Sequence, residues 1–202
     1  MIKSLNKKTL FAGIIFLTMA YGKEKYEPGK YNVDGMHSKV GFEVAHLVIS
    51  TVEGVFTKYE GVIQLDKDFK KSKVDVKIDA DSINTQVAKR DEHLKSPDFF
   101  DAAKYPKLSF QSLEIKGSPD KFKLIGNLTI KDQTKKVTFD AKYLGEVKDG
   151  YGQLKAMFEA STEISRKEFG LTWNNAVEAG PVVGDKVKII LKIQSALEVE
   201  KK

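Results

Sequence analysis

The stretch that decides the fold is RDEHLKSPDFFDAAKYPKLSF, residues 90–110. It passes from a helical pattern to a proline-flanked aromatic pair, Phe99-Phe100, and then into a new strand. Almost everywhere else the chain reads as short strands with alternating apolar residues. The sequence therefore predicts an all-β domain with one short helical insert.

We expect the helix over about Gln86 to Lys95, with Asn84 or Thr85 as its N-cap. Ser96-Pro97 ends it, since the residue before a proline disfavours helical backbone. Residues spaced for one helical face are apolar at the ends of that face and charged in its middle. They are Val87, Arg90, Asp91 and Leu94.

The flanking sequence predicts about eight antiparallel strands, as in sandwiches and barrels. Lys73 to Ile83 and Phe122 to Lys131 alternate clearly, whereas Val52 to Leu65 changes phase, which one β-bulge near Thr57-Lys58 would explain. A closed barrel of this size is either filled by side chains or holds one small ligand. Small residues on the predicted inward faces leave both outcomes open: Ala80, Gly126, Ala141, Gly145, Ala156 and Ala160.

The first 22 residues resemble a secretory signal peptide. Lys3, Lys7 and Lys8 precede an apolar run from Thr9 to Ala20, and small residues follow. That run is shorter than the roughly 20 residues of a membrane-spanning helix, although a retained anchor is the alternative. We expect cleavage after Gly22 and one domain over residues 23–202.

The composition excludes several classes of site. The full chain carries a net charge of +6, but three of those positive charges lie in the leader, and the charges alternate along the remainder. Nucleic-acid binding therefore gains no support. The chain has no cysteine, which excludes disulfides, thiolate metal sites and cysteine nucleophiles. It also lacks a G-x-S-x-G elbow and a glycine-rich phosphate loop, so we expect neither an enzyme nor a cofactor.

Several motifs, taken together and in order, resemble those of the YceI-like family. They are Asp34-x-x-His37-Ser38-x-Val40-x-Phe42-x-Val44-x-His46-Leu47, Gly54-x-Phe56-x-x-Tyr59-x-Gly61, Arg90-Asp91-x-His93-Leu94-x-Ser96-x-Asp98-Phe99-Phe100, Tyr105-Pro106-x-Leu108-x-Phe110, Gly126-x-Leu128-Thr129-Ile130-x-x-x-Thr134-Lys135-x-Val137 and Arg166-x-x-Phe169-Gly170-Leu171. The resemblance covers essentially all of residues 23–202.

The resemblance implies a lipocalin-like, eight-stranded antiparallel β-barrel in the periplasm. It also implies a polyisoprenoid, isoprenoid quinone, fatty acid or fatty amide bound in the lumen, and a role as carrier, store or scavenger. The residues expected to contact this ligand are Phe42, Val44, His46, Ile78, Arg90, Leu94, Phe99, Phe100, Phe110, Leu128, Phe158 and Trp173.

Some of these residues have a second interpretation. Arg90 either forms an ion pair with Asp91 or Asp98, or holds a polar ligand head. Phe99 and Phe100 are either core residues or parts of a lid, and Trp173 is either a core residue or a ligand contact at the cavity mouth.

The three histidines, His37, His46 and His93, define an alternative function, a metal site or metal-dependent enzyme. Transient membrane contact and a homodimer are further expectations, the latter because the long final strand leaves an edge for pairing.

Overall fold

The computed structural model describes residues 26–174, 176–177 and 180–199. The predicted signal peptide, residues 1–22, lies outside the described residues. No helix among those described is long and apolar enough to cross a membrane.

Strands dominate, as the alternating pattern predicts. They are β1 (Gly29–Val33), β2 (Lys39–His46), β3 (Ser50–Phe56), β4 (Tyr59–Leu65), β5 (Lys73–Asp79), β6 (Ile83–Asn84), β7 (Lys107–Ser118), β8 (Lys121–Ile130), β9 (Gln133–Lys148), β10 (Leu154–Ser165), β11 (Ala176–Val177), β12 (Gly180–Pro181) and β13 (Val183–Leu197). In the described part of the chain one α-helix, α1 (Ala88–Lys95), accompanies them, with short 3₁₀ turns at Phe69–Lys71, Ala80–Ser82 and Arg166–Phe169.

The strands close into a ring of eight antiparallel positions, which confirms the predicted barrel. Each position, which we call a stave, is filled by one long strand or by two shorter strands in line. Three staves consist of two segments each, namely β1 with β2, β3 with β4, and β5 with β6. The other five staves are single strands: β7, β8, β9, β10 and β13. β13 closes the ring, because it pairs with β10 along one edge and with β2 and β1 along the other.

The break between β3 and β4 lies beside the break between β5 and β6. The Thr57 N–H donates to the Ser82 carbonyl at 3.0 Å, and the Asp79 N–H donates to the Lys58 carbonyl at 2.9 Å. The interruption at Thr57 and Lys58 is where the sequence predicts a change of phase. Both Phe56, before it, and Ile63, after it, point into the core. The breaks thus bend the sheet while keeping the apolar faces inward.

The helix begins later than predicted, and its N-terminus is built differently. Gln86 has a φ of +65°, a left-handed conformation that excludes it from a right-handed helix. The N-cap residue is Val87, which offers no capping side chain. Val87, at one apolar end of the predicted face, is 47% exposed. Ser96 ends the helix as predicted.

The barrel has two distinct ends. The helix end carries the β2–β3 turn, the insert between β6 and β7, the β8–β9 turn and the connection from β10 to β13. The opposite end carries the 3₁₀ turn Phe69–Lys71 and the turns at residues 119–120 and 149–153. The apolar core lies between the two ends, and Tyr31, Phe169 and Ser195 are among its fully buried residues.

The break between β1 and β2 is fastened to β13 by polar groups. The Asp34 N–H donates to the Gln194 carbonyl at 2.8 Å, and the Ser38 hydroxyl donates to the same carbonyl at 3.0 Å. The Asp34 carboxylate accepts from the Met36 N–H and pairs with His37 Nδ1 at 2.8 Å. Burial alone would raise the pKa of Asp34, but these hydrogen bonds outweigh it and hold the pKa below its ordinary 3.8.

Replacing Asp34 by Asn should therefore destabilise the protein by about 1–2 kcal/mol at neutral pH. Because the folded pKa is depressed, this contribution is present above the ordinary Asp value of 3.8 and is lost as the pH falls through it and below. Urea denaturation of both proteins across that range measures the difference. The exposed Asp81→Asn variant is the control, and an Asp34→Asn difference that stays constant with pH would contradict the account.

Candidate functional site

The barrel encloses an elongated cavity of about 230 Å³. Its wall extends from Leu171 and Val183 at the helix end to Leu65 and Phe69 near the opposite end. Nearly all the lining side chains are apolar, supplied by the inward positions of the staves. A cavity with such a wall favours an apolar occupant over water.

The wall includes nine of the residues predicted to contact a ligand. These are Phe42, Val44, Ile78, Leu94, Phe99, Phe100, Phe110, Leu128 and Phe158. Strand alternation places most of them there, because every second side chain of an inward-facing strand points to the lumen.

Some of the small residues line the cavity, whereas others make room for a neighbouring side chain. Ala160 and Ala141 both line it and lie directly opposite each other across the β9–β10 pair. Gly126 has another role, because a Cβ there would lie 2.4 Å from Phe110 Cζ and 2.5 Å from the Gln111 carbonyl oxygen. The glycine makes room for the Phe110 ring and for the neighbouring backbone, so the ring, rather than the glycine, faces the lumen.

The insert closes the helix end with aromatic side chains. The ring of Phe100 packs edge-on against Phe56 with centroids 5.7 Å apart. Phe99 lies between the cavity and Trp173, whose ring centroid is 5.3 Å from its own. His93 packs edge-on against both Phe99 and Trp173. Trp173 thus supports the wall from behind and is not part of it.

Arg90 and Asp91 hold the start of the insert instead of pairing with each other. Arg90 Nε donates to Thr85 Oγ1 at 2.7 Å, and a terminal nitrogen donates to the Thr85 carbonyl at 2.8 Å. The Asp91 carboxylate accepts from the Thr85 N–H and hydroxyl. Asp98 pairs with His93. Arg90 and Asp91 therefore each bind Thr85 instead of forming the predicted ion pair. Arg90 also lies outside the cavity wall.

The histidines are separated in the fold. His37 pairs with Asp34, His93 Nε2 lies 2.9 Å from Asp98, and His46 Nδ1 lies 3.4 Å from the Ser50 hydroxyl. Among the described residues, no group of three or more His, Asp or Glu side chains could hold a metal ion. The metal alternative is therefore wrong for this part of the chain. His46 is also absent from the cavity wall.

Sequence reasoning missed the role of Arg166, which is only 3% exposed and lines the helix end of the cavity. Its guanidinium donates to four backbone carbonyls, those of Gly184, Leu171, Trp173 and Val183. These bonds tie the segment after β10 to the start of β13. Burial lowers the pKa of Arg166, opposed by the nearby Asp185 carboxylate. The available signal was the motif Arg166-x-x-Phe169-Gly170, in which Gly170 takes a φ of +74°.

A family model of the YceI-like domain matches residues 31–195. The chain is 34% identical to Protein YceI of Salmonella agona over 185 residues, which cover 91% of this chain and 93% of that protein. The chain belongs to the YceI-like family.

Solved structures agree with this YceI-like barrel. The YCEI protein of Campylobacter jejuni is 31% identical with a TM-score of 0.67, covering 88% of this chain and 100% of its own. A polyisoprenoid binding domain from Saccharophagus degradans has a TM-score of 0.63 and covers 85% of this chain and 100% of its own. Its identity is only 13%, so that likeness concerns the fold.

Replacing Arg166 by Met should cost about 3 kcal/mol of stability, because the YceI-like barrel would keep four carbonyls without their donor. Chemical denaturation followed by the fluorescence of Trp173, the single tryptophan, measures it. Lys167→Met, one residue away and exposed, is the matched control. Equal stabilities of the two variants would refute the clamp.

Proposed function

We propose that this protein binds a long-chain amphipathic lipid inside the barrel. The observation that supports this most is the elongated apolar cavity, whose wall carries very few polar groups. Each methylene moved from water to such a wall gains about 0.8 kcal/mol. A polyisoprenoid, an isoprenoid quinone, a fatty acid and a fatty amide all offer such a chain. The fold shared with a polyisoprenoid binding domain adds support.

The proposed contacts follow the cavity wall. They are the nine wall residues from the predicted set: Phe42, Val44, Ile78, Leu94, Phe99, Phe100, Phe110, Leu128 and Phe158. His46, Arg90 and Trp173 are left out, because each lies behind or beside the wall and contacts other residues.

The role we propose is that of a periplasmic carrier, store or scavenger, exported by a cleaved leader. It is a binding role without a catalytic reaction. A water-insoluble ligand has to be collected from and returned to a bilayer, so transient membrane contact belongs to the proposal. A homodimer is the alternative to membrane contact, because a second copy of the chain would then cover the exposed apolar residues.

Filling the cavity should remove the ligand. In the Ala160→Phe variant the new ring would project between Ala141 and Leu191, both of which line the cavity. Lipid that co-purifies with the protein should fall at least about tenfold, since an occupied lumen excludes a chain. Solvent extraction with mass spectrometry measures it.

The control for this variant is Ala103→Phe, the same change at an exposed position in the loop after α1. Circular dichroism of both variants should match the wild type. Unchanged lipid content in a folded Ala160→Phe protein would rule out binding in the lumen. Position 126 is unsuitable, because any side chain there collides with strand backbone.

A further inference from the structure

The turn between β2 and β3 exposes three consecutive apolar residues, Leu47, Val48 and Ile49. Their exposed fractions rise along the turn from 37% to 62% to 93%. We call this segment the apolar turn. Apolar residues scattered singly over a surface are normal, but a contiguous group at a protruding tip indicates an interaction.

The apolar turn is also strained. Leu47 has a φ of +50° and Val48 a φ of +67°. Two successive left-handed residues are the requirement of type I′ turns, for which Asn-Gly is the preferred sequence. A β-branched valine in this conformation is a genuine outlier. The sequence therefore carries apolar side chains at a position where polar ones or glycine would fold more easily, and such strain tends to occur at functional sites.

Charge is missing around the apolar turn. From Val44 to Val52 the chain has no Asp, Glu, Lys or Arg, although these residues make up 31% of the whole sequence. The facing segment, Val182 to Gly184, is uncharged as well. These two described segments, residues 44–52 and 182–184, could enter an apolar medium without removing a formal charge of their own from water.

The apolar turn lies at the helix end, beside the cavity. The Leu47 N–H donates to the Val182 carbonyl at 3.0 Å, which joins the turn to the start of β13. Val44 and Val183, a few residues from these two, both line the cavity. Any surface in contact with the apolar turn is therefore also close to the helix end of the cavity.

We propose that the apolar turn inserts into a lipid bilayer and docks the helix end of the barrel on the membrane. This docking rests on the proposed function, because the docked helix end would be the place where a lipid enters or leaves the cavity. A bilayer fits better than a protein partner. Specific protein interfaces bury roughly 800 Å² on each side, which three side chains on a convex tip cannot provide. Shallow insertion of a few apolar side chains gives the weak, reversible contact that a shuttle needs.

Flotation of the purified protein with vesicles of phosphatidylethanolamine and phosphatidylglycerol tests the proposal. The wild type should float with the vesicles. Ile49→Asp should reduce the bound fraction at least about tenfold, since it replaces a side chain whose burial drives insertion. The matched control is Tyr151→Asp at the opposite end, where the side chain is 99% exposed, and it should float like the wild type.

A second variant separates docking from folding. Leu47→Asn combined with Val48→Gly relieves the strain, so it should melt at a higher temperature than the wild type while floating several-fold less. Failure of the wild type to float, or equal flotation of all variants, would overturn the proposal. A dimer seen by sedimentation, abolished by Ile49→Asp without any flotation, would overturn it in favour of a second copy of the chain.

Lipid content, measured on the same preparations, tells the two proposals apart. When lipid is supplied in detergent solution, so that loading needs no bilayer, the turn variants should bind it to the wild-type level, because the apolar turn does not line the cavity. Protein that carries lipid but does not float contradicts only the docking. Protein that floats through the apolar turn but carries no lipid contradicts only the luminal ligand.

Discussion

The closure of the ring by β13 is the constraint on which the rest of the structure depends. An open eight-stranded sheet would leave two unpaired edges, and its apolar face would have no partner layer to pack against. β13 removes both problems, because its fifteen residues pair with β10 along one edge and with β2 and then β1 along the other. To meet these two partners, the first stave breaks at residues 34–38, where Asp34 and Ser38 bind the backbone of Gln194. The cavity is a consequence of this closure.

The way in which the helix end of the barrel is closed bears on how a lipid would enter the cavity. At the helix end an insert carrying Leu94, Phe99 and Phe100 is laid over the lumen, and Arg166 holds the adjacent segment through hydrogen bonds to backbone carbonyls. Burying the Arg166 cation has a desolvation cost, which the four carbonyls and the nearby Asp185 carboxylate offset. Here Arg166 fixes the start of β13, close to the apolar turn. The features that we propose for ligand entry therefore lie next to a segment held by hydrogen bonds, although the helix α1 itself contributes no fully buried residue.

Alternation in the strands was enough to predict an antiparallel all-β domain and most of its inner faces, because side-chain direction in a strand follows from sequence position alone. The phase change at Thr57 and Lys58 could be read for the same reason. The choice of a barrel over a sandwich came from the family resemblance. The insert was harder to predict, since Gln86 adopts a left-handed conformation and Arg90 binds Thr85, choices set by tertiary contacts. Arg166 was missed because its partners near Val183 and Gly184 lie far along the chain. The role of Gly126 stayed open, because the sequence does not show which ring lies across a glycine.

Native mass spectrometry of the protein purified from its own cells is the sharpest test of whether the lumen holds a lipid chain. We expect a discrete adduct that survives gentle ionisation and yields a prenyl or acyl amphiphile on solvent extraction. A mass equal to that of the bare chain, unchanged after incubation with polyprenyl, quinone and fatty-acid lipids, would contradict this expectation. The barrel would then be a framework whose function lies on its surface.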